Sequence, residues 1–215
     1  MATHTVAYER FVASMRIGYL EYHDGIPYDL AALSSVSVEE VDELECLLIQ
    51  RANEDWRVSE ALAKINSPKS IQALKKSTQG PNREVRFRAA ELLHDIGQFG
   101  NFDDLIVEGL LFGDLGSGLA TAERLAAAHP SEAVKNALLH GALCADGRAV
   151  RFVGLLFFLH GKIREPFDWN QRPFFLRFST KDPQERRIAF DEMCRIIGVD
   201  GSNISCSPDY KGQFR

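Results

Sequence analysis

No run of apolar residues in this chain is long enough to cross a bilayer. The longest, Phe152 to Leu159, covers eight residues, against the about twenty that a spanning helix needs, and it is expected to form a buried helix. The opening Met1-Ala2-Thr3-His4-Thr5-Val6 has no basic start followed by an apolar stretch, and Glu9 and Arg10 come at once, so no signal peptide is expected. Cysteine is scarce. Cys46, Cys144, Cys194 and Cys206 are widely separated with no C-x-x-C pair, which suits small core residues in a reducing cytoplasm better than metal ligands. Cys206, in a polar tail, is the thiol expected to be exposed.

Catalytic spacings are missing as well. The six histidines (His4, His23, His94, His129, His140, His160) include no H-x-x-x-H pair and none at zinc-finger distance from a cysteine. Gly116-Ser117-Gly118 is too sparse for a nucleophile elbow and fits a hinge between helices. The Gly113–Gly118 stretch has no Lys after its last glycine, as a phosphate loop requires. No catalytic residue, metal ligand or cofactor is therefore expected, and the chain is not expected to be an enzyme. Period-two alternation is also absent, which excludes a sheet and leaves an all-α fold.

What the chain does contain is helical periodicity. Phe11, Met15, Tyr19 and Tyr22 form one stripe and predict a first helix from about Thr5 to Tyr22, closed by Gly25 and Pro27. Ser37-Val38-Glu39-Glu40 is a capping box opening a helix to about Arg51, with Val41, Leu44 and Leu48 facing inward. Short amphipathic helix pairs then recur at about thirty-residue intervals. Their helices are predicted to start at Trp56, Lys69, Asn82, Phe102, Gly118, Ser131 and Arg148. Two prolines interrupt the aromatic stretch Glu165–Phe178, whose Phe167, Trp169, Phe174 and Phe178 are expected to seal the end of the core. Asp182-Pro183 caps a last helix that stops at Gly198.

The string Glu84-Val85-Arg86-Phe87-Arg88-Ala89-Ala90-Glu91-Leu92-Leu93 resembles the first helix of a HEAT-type repeat. Asn66-Ser67-Pro68 ahead of Ile71-Gln72-Ala73-Leu74 resembles that family's inter-helix turn. The resemblance spans roughly residues 54–160. It implies a right-handed superhelical stack of helix pairs with a C-terminal aromatic capping module. The expected division is an acidic N-terminal segment (1–53), a repeat array (54–160) and a capping loop, helix and tail (161–215).

Charge is strongly segregated. Residues 21–60 hold eleven acids against Arg51 and Arg57, a net of −9, whereas residues 61–100 carry +4. An acidic surface on a helical scaffold points to a basic partner. In Asp55-Trp56-Arg57 at the opening of the array and in the compact C-terminal module Glu165-Pro166-Phe167-Asp168-Trp169, the chain resembles small cytoplasmic HEAT-like proteins of bacteria, some of which are immunity proteins that neutralise a cognate toxin. That resemblance implies a protein partner, a toxin or effector domain such as a nuclease. The acidic stretch would dock on its basic, nucleic-acid-binding cleft, with Glu39, Asp42, Glu43, Glu45 and Asp55 as the candidate partner-binding residues. At pI ≈ 5.7 nucleic acid is not expected as a partner. A HEAT-like DNA glycosylase is the alternative, resting on the basic cluster Lys64, Lys69, Lys75, Lys76, Arg83, Arg86 and Arg88 with Trp56 and Asp55 nearby. A lyase-type chaperone of a cofactor protein shares the repeat and stays open.

Overall fold

The computed structural model describes residues 4–98, 100–113, 118–144 and 147–206. Among them the chain is helical, with no strand, and no helix is long and apolar enough to cross a membrane. It divides into two compact units, Met1–Gly100 and Asn101–Arg215.

In the first unit, α1 (Val6–Ser14) is followed by the short α2 (Tyr19–His23) and α3 (Leu30–Leu33). The single helix expected over residues 5–22 is therefore broken. α1 ends at its C-cap Met15, and Gly18, in an extended conformation, becomes the N-cap of α2. Phe11 and Met15 reach the core, but Tyr19 is 80% exposed and Tyr22 64% exposed.

The helix α4 (Val38–Gln50) opens with the expected capping box, Ser37 Oγ accepting from Glu40 N. Glu40 also reaches across to α1. Its carboxylate accepts from Thr5 N at 2.6 Å and from Thr5 Oγ1 at 2.7 Å, so one side chain caps two helices. Those hydrogen bonds, the one from the Thr5 backbone foremost, hold its carboxyl down to about 2.

Next come α5 (Trp56–Ile65), α6 (Pro68–Ser77) and α7 (Arg83–Asp95). Each begins at a side-chain N-cap, Asp55, Ser67 and Asn82 respectively. α5 packs against α4, α6 and α7 through Val58, Ala61, Leu62, Leu74, Val85 and Ala89, all fully or almost fully buried. Burying one such valine or leucine contributes about 1.5–3 kcal/mol.

The second unit holds α8 (Asp103–Phe112), α9 (Leu119–Ala128), α10 (Glu132–Cys144) and α11 (Ala149–Leu159). α10 packs on both α8 and α11. Arg148 covers the C-terminal end of α8, donating to the carbonyls of Leu110, Leu111 and Gly113 at 2.9–3.2 Å, groups a helix end leaves without partners. Of the hinge expected at Gly116-Ser117-Gly118, Gly118 is the N-cap of α9, and Gly116 and Ser117 lie outside the described residues.

A short α12 (Arg172–Phe175) and a 3-10 turn (Leu176–Ser179) lead into α13 (Pro183–Ile197), which ends at Gly198 as expected. The aromatic stretch does seal the core, through the expected Phe178 and through Phe175, with Phe174 half-buried. Phe175 and Phe178 are buried, and Phe175 stacks edge-on to Phe157 at 5.2 Å. Trp169 is 73% exposed and Phe167 is also in solvent. The Pro166 carbonyl packs against α11, where a Cβ on Gly154 would lie 2.4 Å from it.

The cysteines also differ from expectation. Cys144 and Cys206 form a disulfide with Cα atoms 5.4 Å apart. Cys194 is buried, as a core residue should be, whereas Cys46 is exposed. A separation of 62 residues gave no local signal for the pairing.

Candidate functional site

Arg57 organises the most distinctive surface of the first unit. It follows Asp55-Trp56 in sequence, so the N-terminus of α5 fixes all three. Its side chain is fully buried, 0% exposed, an environment a charge tolerates only when paired and hydrogen-bonded. The partners are present. Nη1 meets Asp55 Oδ2 at 3.0 Å, Nη2 donates to the Glu21 carbonyl at 3.1 Å, and Nε donates to the Ile26 carbonyl. The guanidinium also lies 4.4 Å from the Trp56 ring centroid and 5.9 Å from that of Tyr22.

Through these bonds Arg57 pins the backbone of residues 21–26 to α5. That segment presents Tyr22 and Ile26 to solvent together with exposed Asp24, and Tyr19 and Leu20 just before it are exposed as well. Large apolar side chains clustered in water mark interaction surfaces more often than isolated ones do. Beside them is an open cleft of about 580 Å³ lined by Pro27, Leu30, Trp56, Leu92 and the Glu60–Arg88 ion pair.

The five acids predicted to bind a partner separate into two groups. Glu39, Asp42 and Glu43 are exposed on α4. Glu43 additionally accepts from Tyr8 Oη at 2.7 Å; burial, then that hydrogen bond, pushes the Tyr8 phenol up to about 12. Glu45 departs from the expectation. It is 2% exposed, and its Oε1 accepts from Ser70 N at 3.1 Å, from Ser70 Oγ at 2.6 Å and from Ser67 Oγ. Burial works against its charge, but the serine hydrogen bonds prevail and hold its carboxyl below the ordinary value. The cause is register: Glu45 is one turn beyond Val41, on the side of α4 that faces the N-terminus of α6, where a carboxylate is favoured. Asp55 is likewise committed, capping α5 through Arg57 N at 2.8 Å and pairing with the Arg57 guanidinium.

Sequence reasoning missed Tyr19, Leu20, Tyr22 and Ile26 because two of them continued an apolar stripe. Gly18 was the available signal of a break. On the second unit, Phe167 and Trp169 meet edge-on at 5.2 Å, with the Arg172 guanidinium 5.5 Å from the Trp169 ring. Phe167 lines a cleft of about 550 Å³ with Ala120, Ala127, Leu155, Pro166 and the Glu123–Arg151 pair. Among the described residues no three His, Cys, Asp or Glu side chains converge as a metal site. Compared with known proteins, the chain matches no family model, no curated protein sequence and no solved structure.

Proposed function

We propose that the chain is a cytoplasmic, non-enzymatic protein-binding module that neutralises a cognate bacterial toxin by covering the toxin's basic, substrate-binding cleft. One observation carries this reading: Tyr22 and Ile26 stand in solvent within residues 21–60, a stretch of net charge −9, and Tyr19 and Leu20, immediately before that stretch, are exposed as well. Aromatic anchors with a polar rim are the composition of a protein interface. The surrounding acids select a basic partner and speed encounter with it. Glu39, Asp42 and Glu43 extend the acidic face, while Glu45 and Asp55 act through the scaffold. A right-handed stack of HEAT-like helix pairs is the architecture proposed for that scaffold. Its support is that α5 contacts both α6 and α7, and α10 both α8 and α11, the neighbour pattern of a helix-pair array.

This reading expects a secreted protein with a toxin-like domain to be encoded beside the chain, and the test is calorimetric titration of the purified chain with that domain. A complex that weakens with salt and blocks the toxin's activity supports the proposal. No binding at low salt removes it.

The DNA-glycosylase reading draws on the cleft that places Trp56, Glu60, Lys64 and Arg88 together, an aromatic, a carboxylate and two cations. Glu60 is engaged by Arg88, and Asp55, the carboxylate first considered, is tied to Arg57. Gel-shift of an alkylated duplex at moderate salt separates the readings, since only the enzyme requires tight DNA binding.

A further inference from the structure

Cys144 ends α10, and its partner Cys206 closes a non-helical strap, residues 199–206, that folds back over α13. The strap has few other anchors. Arg187 donates to the carbonyls of Ile204 at 2.8 Å and Gly201 at 3.4 Å. Gly201 lies on Cys194 and Phe190 so closely that a Cβ there would come within 2.6 Å of Cys194 Sγ. The strap therefore covers the buried Cys194. Cys206 is exposed and Cys144 half-buried, so the bond can be reached from solvent. Both sulfur-bearing residues line a cavity of about 690 Å³ together with Phe178, Lys181 and Arg186. One helical turn before Cys144, His140 Nε2 lies 3.9 Å from its Sγ.

We infer that Cys144–Cys206 is a reversible thiol–disulfide exchange site whose substrate is a dithiol, and that its reduction releases the 199–206 strap and opens the adjoining cavity. A thiolate of the dithiol attacks the exposed Cys206 sulfur. The Cys144–Cys206 bond breaks, and Cys144 leaves as a thiolate beside the His140 imidazole, with Lys181 and Arg186 in the same cavity wall. Cations and imidazole stabilise a thiolate leaving group. The second thiol of the reagent then attacks its own sulfur in the mixed disulfide, expelling the Cys206 thiolate and closing a cyclic disulfide. Two electrons pass from the dithiol to the cystine, and its two protons end on Cys144 and Cys206. Cys194 is a built-in reporter. Burial first, then the charge of Asp191, pushes its thiol up to about 11, so it stays silent while the strap is closed.

The experiment uses the full chain, incubated across a dithiothreitol series and then labelled with a mass-tagged maleimide under native conditions. Untreated protein should label readily at Cys46 alone. Reduced protein should add Cys144 and Cys206, with labelling of Cys194 accelerated by about tenfold or more as its cover opens locally and far-ultraviolet circular dichroism unchanged. Oxidised dithiothreitol should restore the first pattern. Cys206→Ser should show the faster Cys194 labelling without any reductant. Free Cys144 and Cys206 in the untreated, air-oxidised protein would overturn the inference. So would a bond that resists dithiothreitol until the helical signal is lost, or Cys194 labelling that ignores reduction.

Discussion

The buried guanidinium of Arg57 lies beneath the exposed ring of Tyr22, 5.9 Å from its centroid, and binds the backbone on both sides of that ring at Glu21 and Ile26. A charge inside the first unit thus sets the position of apolar side chains outside it. Replacing Arg57 with Met should leave Asp55 without its partner and two carbonyls without donors. Removing one member of a buried pair costs about 3–5 kcal/mol. Guanidinium denaturation followed by tryptophan fluorescence should show that loss; a change under about 1 kcal/mol would mean the buried arginine is not the organiser of this region.

The surface residues should behave oppositely. Tyr19→Ala and Leu20→Ala remove exposed side chains and should change stability by no more than about 0.5 kcal/mol. In the calorimetric titration each should weaken the complex by about 2 kcal/mol, near thirtyfold. Equal affinity for both variants would move the interface elsewhere, the exposed Phe167 and Trp169 being the next to substitute.

Glu45 and Asp42, three residues apart on α4, should also respond differently. Glu45→Ala leaves the Ser70 amide and two hydroxyls without their acceptor, at a cost of about 1–3 kcal/mol. Asp42→Asn alters an exposed carboxylate and should stay within about 0.5 kcal/mol. Urea midpoints of the two variants decide whether the acidic stretch is structural at Glu45 and free at Asp42.

Acid should loosen the attachment of α1. The Glu40 carboxyl is held from its ordinary 4.5 down to about 2 by Thr5 and Ser37. A depressed carboxyl stabilises the fold above its unfolded value and loses that contribution as pH falls through the folded one. Thermal midpoints measured between pH 5 and pH 2 should decline more steeply for the wild type than for Glu40→Gln. Parallel curves would show that this carboxylate does not hold α1.

The disulfide closes a loop of 62 residues, which by chain entropy corresponds to about 4 kcal/mol of stabilisation against the unfolded state. Chemical denaturation with and without dithiothreitol should differ by up to that amount, in the unfolding of the second unit.

Much of the helical register was legible in the residues themselves. Asp55, Ser67, Asn82 and Asp182 each cap the helix that their position announces, because capping links a side chain to an amide two or three residues on. The broken first helix was harder, since Phe11, Met15, Tyr19 and Tyr22 keep helical spacing across the Gly18 interruption. Glu45 shows the limit for the site. Counting acids places it with Glu39, Asp42 and Glu43, but only the approach of Ser67 and Ser70, more than twenty residues later, turns it into a buried cap.

Local order along the chain therefore follows from its residues: which segments coil, where each one starts, and where negative charge gathers. Hydrogen bonds and side-chain spacings within one or two turns are enough to fix those. Which tyrosines stay in water, which carboxylates are occupied internally and which two of the four cysteines join depend on segments that meet from tens of residues away. Those outcomes belong to the packing of helix on helix, because burial and pairing are properties of neighbours in space.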